Sequence, residues 1–113
     1  MEIQVAQHDD RIILTMTGEF REIADCRELE QQLESARDAG MPVVLDMAGT
    51  TFMSSQAVGT LVFLAQGYVD SGSTLCIYNP SPDIHEIFRM TGLLDVLVIA
   101  ETESELEKLL SAD

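Results

Sequence analysis

Basic residues are scarce in this chain. Six Lys and Arg stand against twenty Asp and Glu among 113 residues, which gives a formal net charge of -14. Such a charge repels nucleic-acid phosphates and anionic membrane surfaces, and it attracts proteins that present a basic face. We therefore expect neither nucleic acid nor membrane lipid as a partner.

Cysteine and long apolar runs are scarce as well. Cys26 and Cys76 are too few for a disulfide framework and have no metal-ligand spacing, so two reduced, packed thiols are expected. The first residues lack the basic and apolar regions of a signal peptide, and the apolar stretch 57–65 is too short to span a membrane. With 46% hydrophobic residues, the chain is expected to be cytoplasmic, with a single folded domain over 1–113.

Motifs of common enzymes are missing too. The sequence around Ser55 is not a Gly-x-Ser-x-Gly elbow, and no glycine-rich loop ends in a lysine that would hold phosphates. His8 and His85 fall in a predicted turn and a predicted helix start, where solvated histidines are usual. Asp9-Asp10 is better explained as a turn tip than as a metal site. We predict no enzymatic activity, no catalytic residue, no metal and no cofactor.

The periodicity of apolar residues predicts an α/β fold. Strands are expected at 2–7, 12–17, 43–47, 74–78 and 96–99, and helices begin near capping residues at 25, 54 or 55, 81 and 102. The order β-β-α-β-α-β-α-β-α implies a mixed sheet of about five strands flanked by about four helices.

The segment 43–61 is the centre of this arrangement. A short apolar run suited to a strand covered on both faces is followed by a loop, by Ser54-Ser55, and by an apolar helix. Either serine is suited to cap that helix, because its hydroxyl accepts from the free N–H groups of the first turn. A phosphate there would meet the positive end of the helix dipole, although most such serines are only caps.

The chain resembles STAS domains over essentially its whole length, in particular the single-domain anti-sigma factor antagonists of bacterial partner switching. The resemblance rests on four segments in the expected order: Thr17-Gly18-Glu19-Phe20, Val43-Val44-Leu45-Asp46, Thr51-Phe52-Met53-Ser54-Ser55 with Val58-Gly59, and Ile87-Phe88-Arg89-Met90-Thr91-Gly92-Leu93. The segment with the paired serines is the most specific.

Aligned on this family pattern, Ser55 takes the position of the phosphorylated residue and Ser54 takes one often held by Asp. Gln56 and Ala57 replace residues that are usually smaller, and Arg21 stands where many members carry Asp. The resemblance implies a partner surface around Ser55, for which we expect Phe20, Arg21, Glu22, Met53, Ser54, Gln56, Gly59 and Phe63. The pattern leaves Phe63 between core and contact, with the core favoured, and Met90 is likewise expected in the core.

The resemblance further implies a cycle of binding and phosphorylation. The unphosphorylated protein would bind a GHKL-type serine kinase that also serves as an anti-sigma factor, and so release that factor's regulated partner. Phosphorylation at Ser55 would end binding, and a PP2C-type phosphatase would restore it. Related STAS domains also serve as regulatory subunits of transporters or other complexes without such a switch, and this alternative stays open at the level of sequence.

Overall fold

The structure is a computed structural model that describes residues 1–111. Six strands and four helices alternate along it: β1 (Glu2–Gln7), β2 (Ile12–Phe20), α1 (Ile23–Asp38), β3 (Val43–Asp46), β4 (Thr50–Met53), α2 (Ser55–Asp70), β5 (Leu75–Tyr78), α3 (Pro82–Met90), β6 (Ile99–Ala100) and α4 (Glu103–Ser111). The predicted α/β class, mixed sheet and element order are confirmed. The additional element is β4, in a stretch expected to be loop.

The main sheet has the order β1-β2-β3-β5-β6. β1 runs antiparallel to β2, and the other pairs are parallel. Alternation along β3 sends Val43 and Leu45 into the main core with α1, α2 and α3, and sends Val44 to the opposite face, where it meets Cys76 and Leu106 of α4. The central strand is therefore covered on both faces, as its continuous apolar sequence indicates.

β4 lies beside the far end of β2 and brings the serine pair to that edge. Gly18 pairs with Thr50 and Phe20 pairs with Met53, and the register shifts between Gly18 and Glu19. Gly18 has φ +102°, a backbone conformation that glycine adopts without strain. The buried Thr50 hydroxyl donates to the Met16 carbonyl at 2.9 Å, so this polar strand is anchored in the core.

Three local predictions differ from the structure. α1 begins earlier than expected: Glu22 is its N-cap, and the Asp25 carboxylate accepts from the Glu22 N–H at 3.2 Å. The last strand contains only Ile99–Ala100, because the residues before it form turns after Gly92, which has φ +73°. Met90 is 71% exposed at the end of α3, since the inward face of that helix is formed by Ile84 and Phe88.

Within residues 1–111, no helix has both the length and the apolar character required to cross a membrane.

Candidate functional site

Ser54 caps helix α2 and ties it to the preceding loop. Its Oγ accepts from the Ala57 N–H at 3.1 Å and donates to the Arg21 carbonyl at 3.3 Å. Its own N–H donates to the Phe20 carbonyl at 3.0 Å. Ser54 is half-buried, and its hydroxyl already has both a donor and an acceptor as partners. Of the two serines that the sequence left open as caps, Ser54 is the one used.

Ser55 is the first residue of α2 and is exposed. The cap formed by Ser54 satisfies the N–H of Ala57, two positions further along, so the Ser55 hydroxyl is not needed to start the helix. Main-chain N–H groups of the first turn also point out of this end, where the helix dipole favours negative charge. The site therefore has an accessible hydroxyl on a rigid helix start.

The loop between β2 and α1 supplies charged groups beside this helix start. The Arg21 guanidinium carbon lies 4.6 Å from the centroid of the Phe52 ring, and Arg21 Nε lies 3.2 Å from Oε2 of Glu19. Glu22 is exposed at the start of α1. The structure thus brings Arg21, Glu22 and Ser54 together around the helix start, as the sequence predicted, and it adds Phe52 and Glu19.

Phe20 and Met53 do not lie on this surface, because both side chains are buried in the core. The alternation of β2, in which Ile12, Leu14 and Met16 point inward, continues through Gly18 to Phe20. Met53 is the register partner of Phe20 on β4 and has the same inward orientation. The expectation that these two side chains contact a partner is corrected: they support the site from below.

The outer face of α2 carries the other predicted contacts. Gln56 and Gly59 are exposed, and Phe63 is 72% exposed. The expectation that Phe63 packs in the core is wrong, because Ala57, Leu61, Leu64 and Tyr68 form the buried face of α2. Phe63 follows Leu61 by two residues, a rotation of about 200° at 100° per residue, and so points away from the core.

The two histidines are placed away from the serine pair. The His8 N–H donates to the Arg11 carbonyl in the turn between β1 and β2, at 2.8 Å. His85 on α3 has its Nε2 3.0 Å from Oε1 of Glu101. Asp10, considered above as part of a metal pair, binds Arg11, whose guanidinium lowers the pKa of the Asp10 carboxyl. These groups therefore play no part in the chemistry of Ser55.

Comparison with known proteins identifies the family. The model of the STAS domain matches residues 2–106. The chain belongs to the STAS domain family. This confirms the resemblance, and it aligns with the architecture seen here, in which the serine pair of this STAS domain lies between β4 and α2.

Solved structures share the fold at low sequence identity. The protein TM1081 of Thermotoga maritima is 17% identical, with a TM-score of 0.84, covering 100% of this chain and 91% of that one. An anti-sigma factor antagonist from Mycobacterium paratuberculosis is 17% identical, with a TM-score of 0.79 and coverage of 96% and 92%. The anti-sigma factor antagonist SpoIIAA of Bacillus, in its unphosphorylated form, is 17% identical, with a TM-score of 0.76 and coverage of 99% and 98%. At these identities the likeness describes the STAS fold of this chain.

Proposed function

We propose that this STAS domain is an anti-sigma factor antagonist whose binding is switched off by phosphorylation of Ser55. Unphosphorylated, it binds a GHKL-type kinase that is also an anti-sigma factor, which then releases its regulated partner. The kinase transfers the γ-phosphoryl group of ATP to Ser55 Oγ, leaving ADP, and the serine hydroxyl loses its proton. A PP2C-type phosphatase hydrolyses the phosphoserine and restores binding. The structural relatives that are antagonists, one of them solved both without and with phosphate, support this role.

The observation that carries the proposal is the division of labour between the two serines. Ser54 holds the helix through two hydrogen bonds, whereas Ser55 is exposed at the first position of α2. A kinase therefore has access to the Ser55 hydroxyl without unfolding the helix. Phosphate on Ser54 would instead replace the hydroxyl proton that the Arg21 carbonyl accepts, and would crowd the cap.

The proposed effect of phosphate is local and electrostatic. It adds about -1.5 to -2 charges and three acceptor oxygens at one point of the surface formed by Arg21, Glu22, Gln56, Gly59 and Phe63. A partner surface matched to a neutral serine would have to desolvate that charge or be repelled by it. Since about 1.4 kcal/mol changes affinity tenfold, a loss of a few kcal/mol ends binding without refolding.

Phosphorylation is tested by incubating the protein with ATP and the candidate kinase and then mapping the product by intact and peptide mass spectrometry. One phosphate on Ser55 is expected in the parent protein. Ser55→Ala is expected to accept none, and Thr60→Ala, on the same helix, serves as the matched control that still accepts one. Phosphate on Ser54 would show that the assignment of the two serines is reversed.

Binding to the same kinase is tested by titration calorimetry or pull-down. Ser55→Ala is expected to bind as the unmodified protein does, and Ser55→Asp or Ser55→Glu at least tenfold more weakly. Equal affinity for all of these variants would contradict the switch. An active kinase that neither binds nor modifies the chain would favour a regulatory subunit of another complex, without phosphorylation.

A further inference from the structure

Arg21 is held by two contacts that the core of the fold does not require. Its guanidinium lies over Phe52 and beside Glu19, at the distances given above. The side chains of Arg21 and Glu19 are 46% and 56% exposed, and Phe52 is 38% exposed. Solvent-exposed ion pairs and cation–π contacts are weak, because water competes for the charges. The guanidinium is therefore free to exchange these partners for a stronger one.

The main chain of Arg21 lies next to the helix start. Its carbonyl accepts from Ser54 Oγ at 3.3 Å, and the preceding carbonyl, of Phe20, accepts from the Ser54 N–H. Ser55 follows directly, and consecutive Cα atoms are about 3.8 Å apart. The long, flexible side chain of Arg21 thus begins beside the residue that precedes the Ser55 hydroxyl.

Other arginines are committed to distant parts of the fold. Arg37 lies over the Tyr68 ring near the end of α2, Arg89 pairs with Glu86 on α3, and Arg11 pairs with Glu107 on α4. Arg21 is the cation that the fold places in the loop hydrogen-bonded to the start of α2. In a chain with a net charge of -14, this placement gives the site a local positive group.

We propose that Arg21 receives the phosphate when Ser55 is phosphorylated. The guanidinium leaves Glu19 and Phe52 and forms a bidentate pair with two phosphoryl oxygens. A phosphate with more charge and more acceptor oxygens than the Glu19 carboxylate is the stronger partner, and its geometry matches the planar guanidinium fork. This inference rests on the proposed modification of Ser55 and concerns what that modification does to the surface.

The exchange extends the effect of the phosphate beyond Ser55. The Phe52 ring loses its cover, the Glu19 carboxylate loses its cation, and the positive charge of Arg21 is withdrawn from the partner-facing surface. A kinase that contacts Arg21 in the unphosphorylated protein would lose that contact at the same time as it meets the phosphate. Arg21 therefore couples the modification to a second change at the same surface.

The test measures the second pKa of the phosphate by 31P NMR. Phosphoserine is installed at position 55 by genetic incorporation, so that no kinase is needed. A nearby guanidinium stabilises the dianion, and the pKa is expected to be at least about half a unit lower with Arg21 than in Arg21→Gln. Arg21→Lys, which keeps the charge without the fork, is expected to lie between them. Equal pKa values in the parent and Arg21→Gln proteins would overturn the proposal.

Lys108→Gln is the control for the change in net charge. Lys108 follows Glu107, which binds Arg11 at the start of β2, whereas Arg21 follows the end of that strand. At about 3.3 Å per strand residue the two ends of β2 are about 30 Å apart, beyond the screening length of physiological salt. This variant is expected to keep the phosphate pKa of the parent protein. An equal shift in both variants would overturn the proposal, because it would show only an effect of total charge.

A second readout follows the Arg21 side chain itself. Its δ protons lie near the Phe52 ring in the unphosphorylated protein, and their ring-current shift is expected to disappear on phosphorylation. Phe52→Leu removes that shift in both forms and assigns it. An unchanged shift would overturn the exchange of partners. Because the phosphoserine is installed directly, the result is independent of whether a kinase modifies Ser55, and a negative result leaves the proposed switch standing.

Discussion

The two ends of α2 are held in opposite ways. At the carboxyl end, the buried Tyr68 hydroxyl donates to the Leu33 carbonyl of α1 at 2.6 Å, and Arg37 lies over the Tyr68 ring. At the amino end, Ser54 makes the cap at the surface, and Ser55 and Gln56 are exposed. The carboxyl end is fastened by a core aromatic, whereas the amino end is fastened by one half-buried hydroxyl.

This difference teaches how one helix serves both the core and a surface. The buried face, from Ala57 to Tyr68, determines how α2 sits on the sheet. Because that face carries the packing energy, residues at the exposed start are free to accept a modification or a partner at little cost to stability. The following predictions test this contrast, beginning with the largest expected effect.

Replacing the buried aromatic should damage the fold far more than replacing the exposed one. Tyr68→Ala is expected to lower the free energy of unfolding by about 3–5 kcal/mol, as for other buried aromatics. Phe63→Ala, on the same helix but facing solvent, is expected to change it by less than about 0.5 kcal/mol. Urea unfolding followed by circular dichroism gives both values. Similar losses for the two variants would break the contrast between the faces of α2.

Alkaline pH should weaken the carboxyl end through Tyr68. Burial, opposed by Arg37, raises the pKa of Tyr68 to about 12 from the ordinary value of 10.0. The fold therefore favours the neutral hydroxyl, so this contribution is complete below about pH 10 and is lost as the pH rises through about 12.

The loss from this group is expected to approach about 2 kcal/mol by pH 12, since one pKa unit corresponds to about 1.4 kcal/mol. Tyr68→Phe lacks the titrating group, and the difference in unfolding free energy between it and the parent protein isolates the effect from other alkaline titrations. A difference that stays constant from pH 8 to pH 12 would contradict the assignment.

At the amino end, the two serines should differ in their effect on stability. Ser54→Ala removes the cap and the bond to the Arg21 carbonyl, and is expected to lower the free energy of unfolding by about 1 kcal/mol. Ser55→Ala is expected to change it by less than about 0.5 kcal/mol. Thermal and urea unfolding of the two variants decide the question. A larger loss for Ser55→Ala would mean that Ser55 supports the helix.

Much of the site was predictable because its signals are local. A serine pair before an apolar helix identifies a cap, and the position of Arg21 after Gly18-Glu19-Phe20 places a cation near the same loop through the family pattern. Phe52 and Glu19 were missed as neighbours of Arg21. Their proximity depends on the parallel pairing of β2 with β4, which joins residues more than thirty positions apart.

The errors share a physical cause, which is that orientation was inferred where the sequence has little contrast. α2 is apolar or small at most positions, so its pattern does not distinguish the face of Leu61 from that of Phe63. Phe20 lies beyond Gly18, where the alternating pattern was taken to end, yet β2 continues and buries it. β4 was missed because Thr50 and Thr51 resemble a loop, and its stability comes from pairing with β2 and from the buried Thr50 hydroxyl.

By itself the sequence determined the order of elements, the strand buried on both faces and the presence of a cap before α2. These features depend on hydrophobic periodicity and on hydrogen bonds between near neighbours, which a linear pattern contains. Only the tertiary structure decided that Ser54 is tied down while Ser55 is exposed, that Phe63 points outward, and that Arg21 rests on Phe52. Those outcomes depend on how β4 pairs and which face of α2 packs, and both are set by contacts between residues far apart in the chain.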